Sequence, residues 1–252
     1  MKRFIDLFLS FKKRRKKVNL IQDFKYLDVL AKFGVGGAHP GGLNLTKEIF
    51  MAENINRASH VLDVGCGTGQ TAAYLSSTYG AKVTGIDINS IMVTKAKQRM
   101  ETNHLPVKVI QGSVENIPLP DHLFDFILSE SVLSFVNQPK ALKEISRLLK
   151  SGGRFIAIEQ TINKRLTEKD ESEIKQFYGF HSLNTKEDWV AYLNQAGFKQ
   201  ISIQEIKSFD SEPDFHFSDE IEPKLYEIME KHVELTAKYL GDLDCRVYIC
   251  TK

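Results

Sequence analysis

The chain has 252 residues, 42% of them hydrophobic and 26% charged, with 34 basic against 32 acidic side chains. That balance excludes a polyelectrolyte partner for the chain as a whole and fits one α/β domain burying about three quarters of its unfolded surface. Its three cysteines (Cys66, Cys245, Cys250) have no metal or disulfide spacing, and no run approaches the eighteen apolar residues of a membrane span, so a reduced, cytoplasmic setting is expected.

The near-neutral sum hides an asymmetry. Residues 1–17 carry eight basic side chains and one acid, a net charge of +7 that leaves −5 for the remainder. Phe4, Leu7, Phe8 and Phe11 fall on one helical stripe ahead of the basic run Lys12–Lys17. The segment lacks a cleavage site and does not read as a secretion signal. Such an arm suits peripheral contact with the inner surface of an anionic membrane, or phosphates of a nucleic acid, or is simply a solvated or docked helix. A glycine-rich piece follows, Phe33-Gly34-Val35-Gly36-Gly37-Ala38-His39-Pro40-Gly41-Gly42.

From about residue 60 strands and helices alternate. Strands are expected at Val61–Val64, Lys82–Ile86, Val107–Gln111, Phe124–Leu128 and Arg154–Glu159, then at Gln200–Lys207 and Cys245–Cys250. Helices are expected at Gln70–Tyr79, stopped by Gly80, at Ser90–Glu101, and at Gln138–Leu149 with Pro139 in its first turn. Another runs over Thr185–Ala196, with Thr185 as N-cap and Gly197 as stop. The alternation predicts a parallel sheet covered on both faces. An amphipathic helix near Asp219–Leu240, with Ile221, Leu225, Ile228, His232 and Leu235 on one stripe, interrupts the pattern before the last strand. The whole reads as one domain over 1–252. Its arm and cap are 1–50, its core 57–207 with 245–252, and its inserted helix lies within 209–243.

Residues 61–69 read Val-Leu-Asp-Val-Gly-Cys-Gly-Thr-Gly, and Asp87 closes the next apolar run. Glycines at the end of a buried strand let a ligand lie against bare backbone at a helix N-terminus. A carboxylate ending the neighbouring strand accepts from ribose hydroxyls. The spacing of Gly65, Gly67 and Gly69 is not the G-x-G-x-x-G of dinucleotide sites, which would place glycine where Gln70 stands. Asp63 would repel a pyrophosphate and suits an ammonium group. A ligand with an adenosine end and an amino-acid end is S-adenosylmethionine.

These residues resemble the class I S-adenosylmethionine-dependent methyltransferases, particularly the small-molecule branch around the ubiquinone/menaquinone-biosynthesis enzymes. The block Gly112-Ser113-Val114-Glu115-Asn116-Ile117-Pro118-Leu119-Pro120-Asp121 is similar to the family's adenine-wrapping G-D-A-x-x-L-P-F-P-D. The segment Glu144–Arg154 is similar to its E-x-x-R-x-L-x-P-G-G-x turn, which marks scaffold. The resemblance covers roughly residues 40–207 and the last strand. It implies a Rossmann-like, doubly wound seven-stranded sheet, mostly parallel with an antiparallel last strand, under an N-terminal helical cap.

It also implies roles for particular residues. Asp63, Gly65, Cys66, Gly67 and Gly69 would hold the amino-acid end of S-adenosylmethionine, and Asp87 its ribose. Asp87 could alternatively cap the helix beginning near Ser90. Ile88 and Met92 would touch the adenine or belong to the core. Ser113 stands where the family usually has an acid reading the adenine amino group, and the Val114 amide can read the ring. Ser129 and Glu130 leave the fourth strand beside the reactive sulfur. Methyl transfer is an in-line displacement that needs alignment and dryness and no metal. Glu130 and His39 are the candidate acid–base residues. Glu159, Phe177, Tyr178, Phe180 and His181 are candidates for the acceptor pocket.

The expected function is methyl transfer to a small-molecule acceptor, lipophilic if the arm meets a membrane. The alternatives are an RNA methyltransferase using the basic arm and a non-catalytic nucleoside-binding or membrane-associated regulator. Sequence-specific nucleic-acid methylation is not expected, because Leu128-Ser129-Glu130-Ser131 replaces the [N/D/S]-P-P-[Y/F/W] block of the amino-methylating enzymes.

Overall fold

A computed structural model describes residues 24–206 and 214–252. The basic arm of residues 1–17 and its apolar stripe lie outside the described residues. Helix α1 (Tyr26–Phe33), strand β1 (Val35–Gly36) and helix α2 (Gly42–Met51) precede the repeating unit. Then come β2 (His60–Val64), α3 (Gln70–Tyr79), β3 (Lys82–Asp87), α4 (Ser90–Thr102), β4 (Lys108–Gln111) and β5 (Phe124–Glu130). The chain continues through α5 (Gln138–Leu148), β6 (Leu149–Ile162), α6 (Glu168–Tyr178), α7 (Lys186–Gln195) and β7 (Lys199–Glu205). It ends with β8 (Asp214–Phe215), α8 (Pro223–Lys238) and β9 (Leu243–Thr251).

Seven strands form one sheet in the order β4-β3-β2-β5-β6-β9-β7. The pairs from β4 to β6 are parallel, and β9 runs antiparallel between β6 and β7. This is the expected architecture. Side chains alternate across it. Leu62, Val64, Ile127, Phe155 and Tyr248 pack beneath α5 and α7, on Leu142, Ile145, Trp189 and Leu193. Val61, Val83, Phe126, Ile156 and Val247 pack on the other face against Phe50 of α2 and Ala72 and Leu75 of α3. With both faces covered, the central strands are apolar throughout.

Strand β6 begins five residues earlier than Arg154, because Leu149 already pairs with Phe124 and the Gly152 amide donates to the Lys252 carbonyl. Helices α1 and α2 supply the expected N-terminal cap, whereas α6 lies outside the expected set. In α6 only Ile174 and Tyr178 are buried, so its sequence carries no apolar stripe to read.

A lid is assembled from both ends of the chain. β1 pairs antiparallel with β8, and Val29, Phe33, Val35, Leu225 and Met229 form a common core between α1 and α8. Two side chains of α4 fasten this lid to the main body. Lys95 donates to the carbonyls of Lys32 and His216, and Arg99 pairs with Asp214 while its Nε donates to the Thr68 carbonyl at 2.8 Å. At the end of α1, Gly34 has φ +61°, and a Cβ there would stand 2.0 Å from the His216 carbonyl oxygen. We therefore expect Gly34→Ala to lower stability by at least about 1 kcal/mol, read as a fall in melting temperature. An unchanged melt would show that the lid does not contribute to the folded state.

Candidate functional site

The sheet reverses its direction of growth at β2, whose two neighbours are β3 and β5, so the helices that follow β2 and β5 diverge and leave a crevice at the strands' carboxyl ends. A cavity of about 570 Å³ fills that crevice and continues under the lid. It falls within the range of small-ligand sites.

At its inner end the β2–α3 loop folds back on β3. The amides of Gly65 and Cys66 both donate to the Ile86 carbonyl, at 2.7 and 3.0 Å. Gly65 (φ +68°) leaves no room for a side chain, since a Cβ would meet Val132 Cγ2 at 2.2 Å. Gly67 (φ +53°) is the opposite case, with nothing within 4 Å of its Cβ position. It presents bare backbone to the cavity. The N-terminus of α3 has no side-chain cap, and Gln70 Oε1 is buried there without a partner.

Asp87 ends β3 with its carboxylate at the cavity. One oxygen accepts from the Gly67 amide at 2.9 Å and the other from the Asn89 amide at 2.8 Å. Burial pushes its carboxyl up, although these amides act to lower it. The cap of α4 is Asn89, whose side chain accepts from the Ile91 and Met92 amides, so Asp87 is not needed for that task. Ile88, Met92, Ser113 and Val114 also line the cavity. The Ser113 hydroxyl accepts from the Glu115 amide. Arg147 holds this loop from behind, donating to the carbonyls of Ile117 and Leu119, while Glu144 accepts from the Ile117 amide.

Three expected ligand residues do not reach the cavity. Asp63 is buried behind the loop with Oδ2 unpartnered; burial, then the charges of Glu130 and Asp87, push its carboxyl well up against the lowering effect of the Ala72 amide. Gly69 (φ +76°) serves packing, because a Cβ would strike Met100 Cε at 2.6 Å where α3 crosses α4. Ser129 is fully buried and its hydroxyl donates to Glu159 at 2.8 Å.

The candidate acid–base residues are brought together, but on each other. Glu130 accepts from Thr46 of α2 at 2.5 Å and from Thr71 of α3 at 2.8 Å, and His39 Nε2 lies 3.4 Å away. His39 Nε2 makes no hydrogen bond, so His39 and Glu130 face each other as a charge pair, and Nδ1 of His39 donates to the Pro40 carbonyl at 3.1 Å. Burial alone would lower the imidazole and raise the carboxyl. The mutual charge and the threonine hydroxyls outweigh it, holding His39 above and Glu130 below their ordinary values. Neither is a free base.

Beyond Glu130 the cavity becomes aromatic. Tyr26, Phe135, Tyr178 and Phe180 line it, with His232 and Thr236 from α8. Tyr178 and Phe180 stack with centroids 5.0 Å apart, and the Tyr178 hydroxyl lies 3.0 Å from His232 Nδ1. Phe177 and His181, on the same segment, do not line the cavity. His232 stood on the apolar stripe of the sequence, and Tyr26 and Phe135 carried no signal there. Glu159 is fully buried outside the cavity. It accepts from Ser129 Oγ and from the Val132 and Leu133 amides, fixing the loop that forms one wall. Among the described residues no group of His, Cys, Asp and Glu could hold a metal ion, and no helix is long and apolar enough to cross a membrane.

Comparison with known proteins decides the family. Residues 62–157 match the "Methyltransferase domain" family. The chain is 35% identical over 232 residues to an uncharacterized methyltransferase of Bacillus subtilis (strain 168), YodH, covering 90% of this chain and 99% of that one. The chain belongs to the class I S-adenosylmethionine-dependent methyltransferases. The methyltransferase is also 34% identical over 148 residues to the ubiquinone/menaquinone biosynthesis C-methyltransferase of Rickettsia massiliae (strain Mtu5), covering 56% of this chain and 57% of that enzyme. Its fold matches phosphoethanolamine N-methyltransferase 2 of Haemonchus contortus, solved with S-adenosyl-L-methionine, with TM-score 0.75, 16% identity, and 92% and 58% of the two chains covered.

The methyltransferase's Glu159 supplies a test of the cavity wall. Burial pushes its carboxyl from 4.5 up to about 7. Between those values the folded chain keeps a proton that the unfolded chain releases, so stability falls as pH rises from 4.5 to about 7. Glu159→Gln is expected to flatten the melting-temperature profile in that window; a profile parallel to wild type would refute the assignment.

Proposed function

We propose that the inner half of the cavity holds S-adenosylmethionine and the aromatic half receives a small acceptor, which is methylated where the two meet, beside Glu130. The observation that carries this is the Asp87 carboxylate hydrogen-bonded to the bare backbone of Gly67, both lining one crevice. When bound, the donor supplies a methyl group activated by a positively charged sulfur. Asp87 accepts from the ribose hydroxyls through the lone pairs that Gly67 and Asn89 leave free. The uncapped start of α3 faces the donor carboxylate. Ile88, Met92 and Val114 flank the adenine.

The chain's further contribution is alignment and exclusion of water. Glu130 joins α2, α3 and the His39 loop at one point, which closes the cap over the donor. We read it as the anchor of the cap, not as the base. The acceptor then approaches from under α1 and α8. The ubiquinone/menaquinone biosynthesis enzyme and the phosphoethanolamine N-methyltransferase that the chain resembles suggest two chemistries for that acceptor, one lipophilic and one phosphorylated.

Two measurements test this reading. Asp87→Ala removes charge-assisted hydrogen bonds and should weaken S-adenosylmethionine binding at least tenfold, about 1.4 kcal/mol, by calorimetry. Unaltered affinity would remove Asp87 from the donor site. Glu130→Gln leaves the His39 charge buried without its counter-ion. It should lower both melting temperature and donor affinity. A variant with wild-type melting and binding but no turnover would return Glu130 to the role of base.

A further inference from the structure

We infer that the aromatic half of the cavity selects acceptors that carry no phosphate or other anionic group, and that the Tyr178–His232 pair receives the acceptor's polar end. The inference rests on the donor and acceptor halves being assigned as above, and it decides between the two acceptor chemistries named there.

The first observation is charge. Among the described residues none of those lining the cavity is lysine or arginine, whereas Asp87, Glu130 and Asp244 are acids. Nearby cations are committed elsewhere. Lys95 donates to two lid carbonyls and Arg99 pairs with Asp214. Lys32 pairs with Glu222 and Lys238 with Glu173, while Arg246 donates to Asn163 at 2.7 Å and pairs with the carboxylates of Glu205 at 3.8 Å and Asp244 at 4.0 Å. Among the described residues a phosphate in this chamber would lose its water and find no lysine or arginine, only the His39 charge that Glu130 already offsets, while the Asp244 carboxylate lines the same chamber. Recognition of phosphate by proteins relies on lysine, arginine or helix N-termini, and the α3 N-terminus belongs to the donor half.

The second observation is the mouth. Leu27 is 40% exposed and Leu240 78% exposed, and both line the cavity. Large apolar side chains are left partly in water at this end of the cavity, which suits an apolar body and not a hydrated anion.

The third is the polar end. Tyr178 and His232 are joined at 3.0 Å, and the aromatic rings of Tyr26 and Phe180 close around them. Burial pulls His232 down to about 4, so at neutral pH the pair carries no charge. An uncharged donor–acceptor couple in an apolar chamber can exchange hydrogen bonds with a hydroxyl or an amine, and offers no counter-charge to an anion. It is a positioning pair.

The experiment uses the full-length chain, a cell-derived small-molecule extract and S-adenosylmethionine labelled in the methyl group. The labelled product is passed over an anion exchanger, before and after phosphatase treatment, while donor binding is followed by calorimetry. The expected result is label in a product that the exchanger does not retain. For its acceptor, Tyr178→Phe should raise KM at least fivefold while leaving donor affinity unchanged. Label in a retained or phosphatase-sensitive product overturns the inference and leaves methyl transfer intact. An unchanged KM in Tyr178→Phe overturns the role of the pair. Donor binding with no labelled product in any fraction removes the methyl-transfer reading itself, and this inference with it.

Discussion

The site depends on where the sheet changes its direction of growth. β2 lies between β3 and β5, so one chain segment serves as the last common neighbour of two oppositely growing halves. The glycine loop leaves β2 at that point and is held on β3 by two amides bonded to one carbonyl, that of Ile86. Asp87, next along the same strand, bonds the loop again through Gly67. Three hydrogen bonds thus fix the distance between bare backbone and carboxylate. Without that spacing the crevice would be an ordinary gap between helices.

The cap works on a different principle. Its pieces come from residues 24–51 and 214–240, far apart in the chain, and meet through a two-residue strand pair and one small apolar core. Such a layer has a smaller apolar core than the sheet beneath it. It is fastened by polar contacts at separate points: Lys95 and Arg99 on α4, and Glu130 with His39, Thr46 and Thr71 at the end of β5. Buried ion pairs add little net stability but are costly to break singly. They suit a part that must sit in one place.

Sheet and helices were legible wherever burial imposed a period or a glycine imposed a stop, as at Gly80 after α3 and at the apolar run Val61–Val64. Legibility failed where an element buries little, as in α6, or where its fate depends on backbone pairing, as in the early start of β6. In the site, Gly65, Cys66, Gly67 and Asp87 could be placed from spacing alone, because strand ends in a parallel sheet share one edge. Asp63, Gly69 and Ser129 sit on the same motifs yet point into the protein. Position along a motif does not tell which side of a loop a side chain takes. Tyr26 and Phe135 were invisible because isolated aromatics on short segments look like core, and His232 because it occupies a core-facing stripe whose far side is a cavity.

Glu130 and His39 teach a related lesson. A carboxylate at a strand end and a histidine in a flexible-looking loop each read as acid–base chemistry. Their geometry shows a buried polar knot in which Glu130 is hydrogen-bonded by Thr46 and Thr71 and faces the His39 ring as a counter-charge. Spacing in the sequence identified that both reach the crevice, and only packing revealed what they do there.

A structure determined with S-adenosylhomocysteine tests the account most directly. It should show the ribose hydroxyls on Asp87, the adenine between Met92 and Val114, and the sulfur facing the chamber of Tyr178 and His232. A nucleoside lodged anywhere else, or one whose sulfur points away from that chamber, would contradict it.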